Sequence, residues 1–150
     1  MIIEDNLTIK APVDKVWGTM LDVSFLASCI PGVEDLKTID DNHYKATLVA
    51  KVSVMTAIFD TDISIIERQE PSYIKIAGEG KGRMGVGRVA FSQAVKLKSV
   101  STDETEVAYK LELNVIGRLA SLGGKAISKK VTEVSEIFRK EFAAKCESGF

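Results

Sequence analysis

Apolar and polar residues alternate along most of the first 116 residues of the chain. A period of two over 3–10 predicts a first strand. Pro12 then predicts the start of a helix, because the first turn of a helix does not use the N–H that proline lacks. A second short helix is expected over 24–28, and Pro31 and Gly32 end it because neither residue continues a helix well.

The period of two returns after Gly32 and predicts six further strands, which are separated by short polar turns. The last part of the chain, from about Gly117, has the 3.6-residue period of a helix. A helix of about 25 residues measures roughly 38 Å, which matches the length of a twelve-residue strand at roughly 40 Å. The six strands are expected over 33–39, 44–54, 59–65, 74–80, 89–97 and 107–115.

This order of elements predicts the α+β class and one domain over 1–150. Hairpins with polar outer faces favour a curved antiparallel sheet of six to seven strands. The sheet is expected to wrap around the long C-terminal helix, with the two short helices following the first strand. This arrangement resembles the helix-grip fold of START-like lipid- and polyketide-binding domains, whose proline-led opening helix is similar to the segment Pro12–Trp17.

Composition and charge exclude several functional classes. The 150 residues include 20 Lys and Arg and 21 Asp and Glu, so the formal net charge is -1 and no basic excess points to nucleic acid. No apolar run reaches the roughly 20 residues of a membrane span. We therefore expect a cytoplasmic protein in which Cys29 and Cys146 are free thiols. With only these two cysteines and one histidine, no metal site is predicted.

Motifs for catalysis are weak. The segment Gly80–Gly85 matches G-x-G-x-x-G, but a strand rather than a helix is predicted after it, so a dinucleotide site is not expected. His43 lies in a predicted turn and provides no evident partner for a nucleophile. Asp60 and Asp62 are expected on the solvent face of one strand. No catalytic residue is predicted.

A ligand cavity is suggested by small and polar residues on the predicted inner face of the sheet. Ala50 and Gly78 are small, and Gln93 and Tyr109 are polar in otherwise apolar rows. A few polar groups in an apolar pocket orient a small ligand. The alternative is a filled core in which the backbone satisfies Gln93. The ligand-binding residues are predicted to be Phe25, Leu26, Ala50, Phe59, Ile63, Gly78, Phe91, Gln93, Tyr109, Leu113, Ile127 and Val131.

A membrane contact is predicted near the start of the long helix. Leu119 and Leu122 lie off its apolar stripe, beside a cluster formed by Lys125, Lys129 and Lys130. Apolar side chains next to lysines suit the surface of an anionic membrane. The mouth of the cavity is expected where these leucines meet the short helices at Phe25 and Leu26. An ordinary solvated helix face is the alternative.

Three segments together resemble one family, CoxG of aerobic carbon monoxide dehydrogenase, over nearly the whole chain. They are Cys29–Gly32, Gly78–Gly80 and Gly117–Gly123. The resemblance implies a non-catalytic accessory protein that binds a quinone or another lipophilic compound without a covalent cofactor. It also implies a carbon monoxide dehydrogenase or a related molybdenum hydroxylase as partner. The chain stops at Phe150 without the hydrophobic anchor of many members, so we expect transient contact with the inner face of the cell membrane.

Two other classes stay open at this point. The same superfamily contains cyclases and dehydratases, which need an acid–base pair inside the cavity. A domain that acts through its surface, like a co-chaperone, is the other alternative.

Overall fold

The computed structural model describes residues 1–148, in which seven strands form one antiparallel sheet. The sheet order is β1-β7-β6-β5-β4-β3-β2, so that each hairpin partner lies beside its neighbour in sequence and β1 closes onto β7. The strands are β1 (Ile2–Ile9), β2 (Val33–Asp40), β3 (His43–Val52), β4 (Met55–Gln69), β5 (Tyr73–Gly82), β6 (Arg88–Ser101) and β7 (Glu104–Ile116).

Two short helices connect the two edges of the sheet. Helix α1 (Val13–Met20) begins after Pro12, whose carbonyl accepts from the backbone N–H groups of Lys15 and Val16. Helix α2 (Val23–Ser28) begins after Asp22, whose carboxylate accepts from the N–H of Phe25 at 3.2 Å. A carboxylate at this position satisfies an N–H that has no partner within the helix.

Helix α3 (Gly124–Glu147) is the long C-terminal helix and lies against the inner face of the sheet. Its backbone approaches β1 and β3 more closely than it approaches the four strands between them. The sheet is therefore curved, with its two sides near the helix and its middle further away. The α+β helix-grip fold expected from the sequence is confirmed.

Two separate apolar clusters join the helices to the sheet. The first contains Trp17 of α1 and Phe142 of α3, and Phe25 and Leu26 of α2 pack against it. The second contains Phe59 and lies near the start of α3. The buried members are Ile9, Ala11, Val16, Trp17, Ile74, Leu97, Val107, Phe142 and Cys146 in the first cluster, and Val52, Ala57, Phe59, Val86 and Leu119 in the second.

The start of the long helix differs from the prediction. Residues Arg118–Leu122 form a 3₁₀ segment, and α3 begins only at Gly124. Gly117 and Gly123 flank this segment with φ of 92° and 91°, a conformation that glycine adopts without steric cost. The backbone therefore turns twice before the helix can start.

Two smaller expectations are also wrong. Strand β4 continues through Gln69, although a polar turn was expected from Glu67, because the edge of the hairpin keeps pairing with β5 up to Tyr73. Val54 was expected on the inner face but lies in the β3–β4 turn, where 93% of its surface is exposed. Cys29 and Cys146 are free and buried, as expected, and burial raises the pKa of both thiols.

Candidate functional site

A gap separates the two apolar clusters in the middle of the molecule. Ile63, Phe91 and Leu113 lie on the inner face of the sheet, since each is paired across the strands with another inner-face position. These side chains are only half-buried and belong to neither cluster. Val131, on the stripe of α3 that turns toward the sheet, is half-buried in the same way. Water therefore reaches apolar surface between the sheet and the helix.

The predicted ligand-binding residues divide into three groups. Phe25 and Leu26 pack against the first cluster, so they support the fold at that end of the gap. Phe59 is 1% exposed within the second cluster, and Ala50 packs against that cluster. The remaining residues are half-buried and lie between the clusters; they are Ile63, Gly78, Phe91, Gln93, Tyr109, Leu113, Ile127 and Val131.

The glycines of β5 do not leave the free space that was expected beneath the helix. A Cβ atom on Gly78 would lie 2.4 Å from Cζ of Phe91 and 2.5 Å from its Cε1. The aromatic ring of β6 therefore lies across the glycine on the neighbouring strand. The small residue makes room for this ring, and the ring itself forms part of the floor of the gap.

The polar side chains of the inner face lie toward β1 and β7. Gln93 faces Leu111 across the β6–β7 ladder, and Tyr109 pairs with Asp5 of β1. Burial raises the pKa of the Tyr109 phenol, and the neighbouring Arg139 guanidinium partly offsets this effect. Tyr109 is therefore protonated at neutral pH and keeps its O–H as a hydrogen-bond donor.

A charged pair beside Tyr109 was missed in the sequence. Arg139 of α3 donates to the Asp5 carboxylate, with 2.6 Å between Nη1 and Oδ2, and links the helix to β1. The alternation in β1 places Asp5 in the same row as Leu7 and Ile9. That row was a signal that Asp5 faces inward.

Thr61 is a second residue that sequence reasoning missed. It lies on the inner face of β4 opposite Gly80, is 9% exposed, and its hydroxyl has no hydrogen-bond partner within residues 1–148. A buried hydroxyl without a partner is costly. Its position in the row of Phe59 and Ile63 was predictable, but its lack of a partner was not.

The expected mouth of the cavity is wrong. β1 and β7 run antiparallel, with Ile9 paired to Thr105 and Ile2 paired to Glu112. The short helices follow the end of β1, whereas the 3₁₀ segment follows the opposite end of β7. Phe25 and Leu26 consequently lie in the first cluster, while Leu119 and Leu122 belong to the second.

The exposed position expected for Leu119 is also wrong. Its side chain is 4% exposed, and its backbone N–H donates to the carbonyl of Val86 at 2.9 Å. Because Gly87 and Gly117 have no side chains, their backbones approach closely and draw the 3₁₀ segment under the β5–β6 loop. Leu122 is half-buried against the same cluster.

The three lysines at the start of α3 do not share one environment. Lys125 and Lys129 are exposed, whereas Lys130 is half-buried. The carboxylates of β4 lie on the outer face, as expected: Asp60 pairs with Arg83 at 2.8 Å and Asp62 with Lys45 at 3.6 Å. The hydrogen bond from Arg83 lowers the pKa of Asp60.

Two properties of the described chain bear on other functions. Within residues 1–148, no helix has both the length and the apolar composition of a membrane span. The same residues contain no group of three or more His, Cys, Asp or Glu side chains that could hold a metal ion.

Comparison with known proteins gives a family and a fold. The model of the carbon monoxide dehydrogenase CoxG family matches residues 6–146. No curated protein matches the chain.

Similar solved structures include a conserved protein from Geobacillus kaustophilus, with 23% identity and a TM-score of 0.89 over 99% of this chain and 96% of that one. A START superfamily protein from Mycobacterium smegmatis has 12% identity and a TM-score of 0.70 over 98% and 97%. The Zhui aromatase/cyclase from Streptomyces sp. R1128 has 14% identity and a TM-score of 0.68 over 98% and 93%. At these identities the likeness concerns the fold.

Proposed function

The chain belongs to the carbon monoxide dehydrogenase CoxG family, and from this membership we propose that it is a non-catalytic accessory protein that holds a quinone between α3 and the sheet. Its partner is a carbon monoxide dehydrogenase or a related molybdenum hydroxylase. In this role the protein carries the quinone between the hydroxylase and the inner face of the cell membrane. The fold shared with an aromatase/cyclase and a START superfamily protein supports the ligand-binding part of the proposal.

The observation that carries the proposal is the division of the core. Protein interiors are normally packed as densely as organic crystals, and uncovered apolar surface inside a fold loses contacts. Here Phe91, Leu113 and Val131 face one another across the gap without joining either cluster. A lipophilic ligand between them would supply the missing contacts.

The polar side chains of the gap suit the ring carbonyls of a quinone. Gln93 provides an amide N–H₂ and Tyr109 an O–H, which donate to carbonyl oxygens. Neither group is a base at neutral pH, so the proposal is binding rather than turnover. An isoprenoid or alkyl tail would lie along the apolar rows, where each buried CH₂ contributes about 0.8 kcal/mol.

A titration with a short-tailed quinone tests this proposal. Decyl-ubiquinone is added to the purified full chain in an isothermal titration calorimeter, and saturable binding with one site is expected. The variant Val131→Trp fills the gap from the helix side and should weaken binding at least tenfold, which corresponds to about 1.4 kcal/mol.

The matched control is Thr132→Trp, which places the same side chain on the next residue of α3, where the surface is exposed. This control should bind like the wild type, and both variants should keep a cooperative thermal transition. Absence of saturable binding to the wild type, or equal binding by Val131→Trp, would overturn the proposed site.

A further inference from the structure

The two ends of the sheet carry opposite charge. We define the basic end as the segments 51–56, 81–88 and 116–125, which form the β3–β4 turn, the β5–β6 loop and the connection from β7 to α3. Its cross-strand pairs Val52–Met55 and Lys81–Arg88 place these segments at the same end of neighbouring strands. The segments contain six basic and no acidic residues, which are Lys51, Lys81, Arg83, Arg88, Arg118 and Lys125.

The three hairpin turns at the other end show the reverse pattern. Segments 40–43, 67–73 and 101–106 contain seven acidic residues and only one arginine, Arg68. The net charge of -1 therefore conceals a strong separation of charge along the strands. A molecule with this distribution orients its basic end toward a negative surface.

Single apolar side chains occupy the apices of the basic end. Val54 in the β3–β4 turn is 93% exposed, and Met84 in the β5–β6 loop is 95% exposed. Ile116, at the end of β7, is 56% exposed. The side chains of Val54 and Met84 gain almost nothing from packing within the chain.

The backbone at Met84 strengthens this observation. Its φ is 57°, in the left-handed region that glycine or asparagine adopts more readily than methionine. Arg83 anchors the loop through two hydrogen bonds to the Asp60 carboxylate, at 2.8 and 3.2 Å. The loop is thus held in a conformation that presents a large apolar side chain to the solvent.

We propose that the basic end is the surface on which the protein docks to an anionic lipid bilayer, with Val54 and Met84 inserted at the level of the headgroups. This inference rests on the proposed function, because an apolar ligand has to be exchanged with a membrane. It replaces the mouth expected at Leu119, which is a core residue. Lysines and arginines attract anionic lipid, and the apolar apices enter the boundary with the acyl chains.

The arrangement favours a lipid surface over an acidic protein. A specific protein interface buries about 800 Å² on each partner and needs a contiguous complementary surface. Val54 and Met84 stand on separate hairpins, each exposed almost completely, so they form no packed patch. A fluid bilayer accommodates separate apolar tips without such complementarity.

Vesicle flotation with the ligand-free full chain tests the proposal. The vesicles contain phosphatidylglycerol and phosphatidylcholine in equal parts, and a second set contains phosphatidylcholine alone. The wild type should float with the anionic vesicles at low ionic strength. Association should be lost at about 1 M salt, where the Debye length falls to about 3 Å, and should be weak on the neutral set.

The double variant Val54→Glu with Met84→Glu should lower the vesicle partition coefficient at least tenfold. The control, Ile39→Glu with Val100→Glu, changes two exposed apolar residues at the acidic end and should leave association unchanged. Changing Lys51, Arg118 and Lys125 to Gln should weaken association and its dependence on salt. All four side chains changed in the glutamate variants are more than half exposed, so folding should be retained and is checked by circular dichroism.

Failure of this proposal differs from failure of the proposed function. The tip variants should bind decyl-ubiquinone in vesicle-free solution like the wild type, because neither residue belongs to the gap. If the wild type does not associate with anionic vesicles, or if the tip variant and the control associate equally, the docking surface is wrong whatever the quinone titration shows. If vesicles bind normally but the quinone does not, only the proposed ligand is wrong.

Discussion

A methyl group added at Gly78 probes the floor of the gap directly. The new Cβ atom would lie 2.4 Å from Cζ of Phe91 and 3.0 Å from the carbonyl oxygen of Asp62. Both distances are shorter than a normal contact, and the ring is the part that can move. It has to rise from the sheet toward α3, into the space proposed for the ligand.

The expected cost follows from two opposing effects. Overpacking of a filled site destabilises a protein by about 1–3 kcal/mol. Replacing glycine by alanine restricts the unfolded chain and stabilises by about 0.4–1 kcal/mol when the backbone is compatible, and Gly78 is not among the residues with positive φ. Gly78→Ala should therefore destabilise by about 1–2 kcal/mol, which lowers Tm by about 2–8 °C at this chain length.

A double-mutant cycle separates the ring from the backbone contact. Phe91→Leu removes the ring and should be destabilising alone, because it leaves unfilled volume. In Gly78→Ala with Phe91→Leu the new methyl group occupies part of that volume, so the double variant should be more stable than the sum of the single changes predicts by about 1 kcal/mol or more. Thermal and urea unfolding measure the cycle, and quinone titration should show weakened binding only in Gly78→Ala.

Additive effects in this cycle, or an unchanged or higher Tm for Gly78→Ala, would refute the placement of the Phe91 ring over β5. The gap would then have a different floor.

Two further predictions concern polar contacts. Trp17 is 3% exposed and donates from Nε1 to the Glu70 carboxylate at 2.9 Å, so Glu70→Ala should destabilise by about 1–3 kcal/mol in urea unfolding followed by tryptophan fluorescence; Glu70→Gln keeps an acceptor and should lose less, and equal losses would contradict this account. Burial raises the folded-state pKa of Tyr109, so the unfolded chain ionises first and the stability from this group, present below the unfolded pKa, is lost as pH rises through the folded pKa. Compared with Tyr109→Phe, the wild type should therefore lose more stability in alkaline solution, and parallel pH profiles would contradict the burial of the phenol.

The strands and their faces were predictable because burial of one face imposes a period of two. The alternation in β4 and β6 placed Phe59, Ile63, Phe91 and Gln93 on the inner face, and the ladders show these residues in inner rows. The long helix was predictable from its 3.6-residue stripe. Its start was not, because the turns at Gly117 and Gly123 depend on where the 3₁₀ segment packs.

The division of the inner face into packed clusters and a gap was beyond the sequence. Periodicity gives the face on which a residue lies but not its height along the strand relative to the helices. Phe59 and Phe91 are both inner-face aromatics, yet one is core and the other borders the gap. The expected mouth failed for the same reason, since Phe25 and Leu119 could be assigned to a common end only with the β1–β7 register in hand.

The most direct test of the account is to locate a bound quinone within the chain. An azido-substituted quinone is irradiated with the wild-type protein, and tandem mass spectrometry identifies the labelled residues. We predict labels on Phe91, Leu113 and Val131, at levels reduced by an excess of decyl-ubiquinone. Labels on the neighbouring outward-facing residues Asn114 and Thr132 instead, or labelling that decyl-ubiquinone does not reduce, would contradict a ligand site between α3 and the sheet.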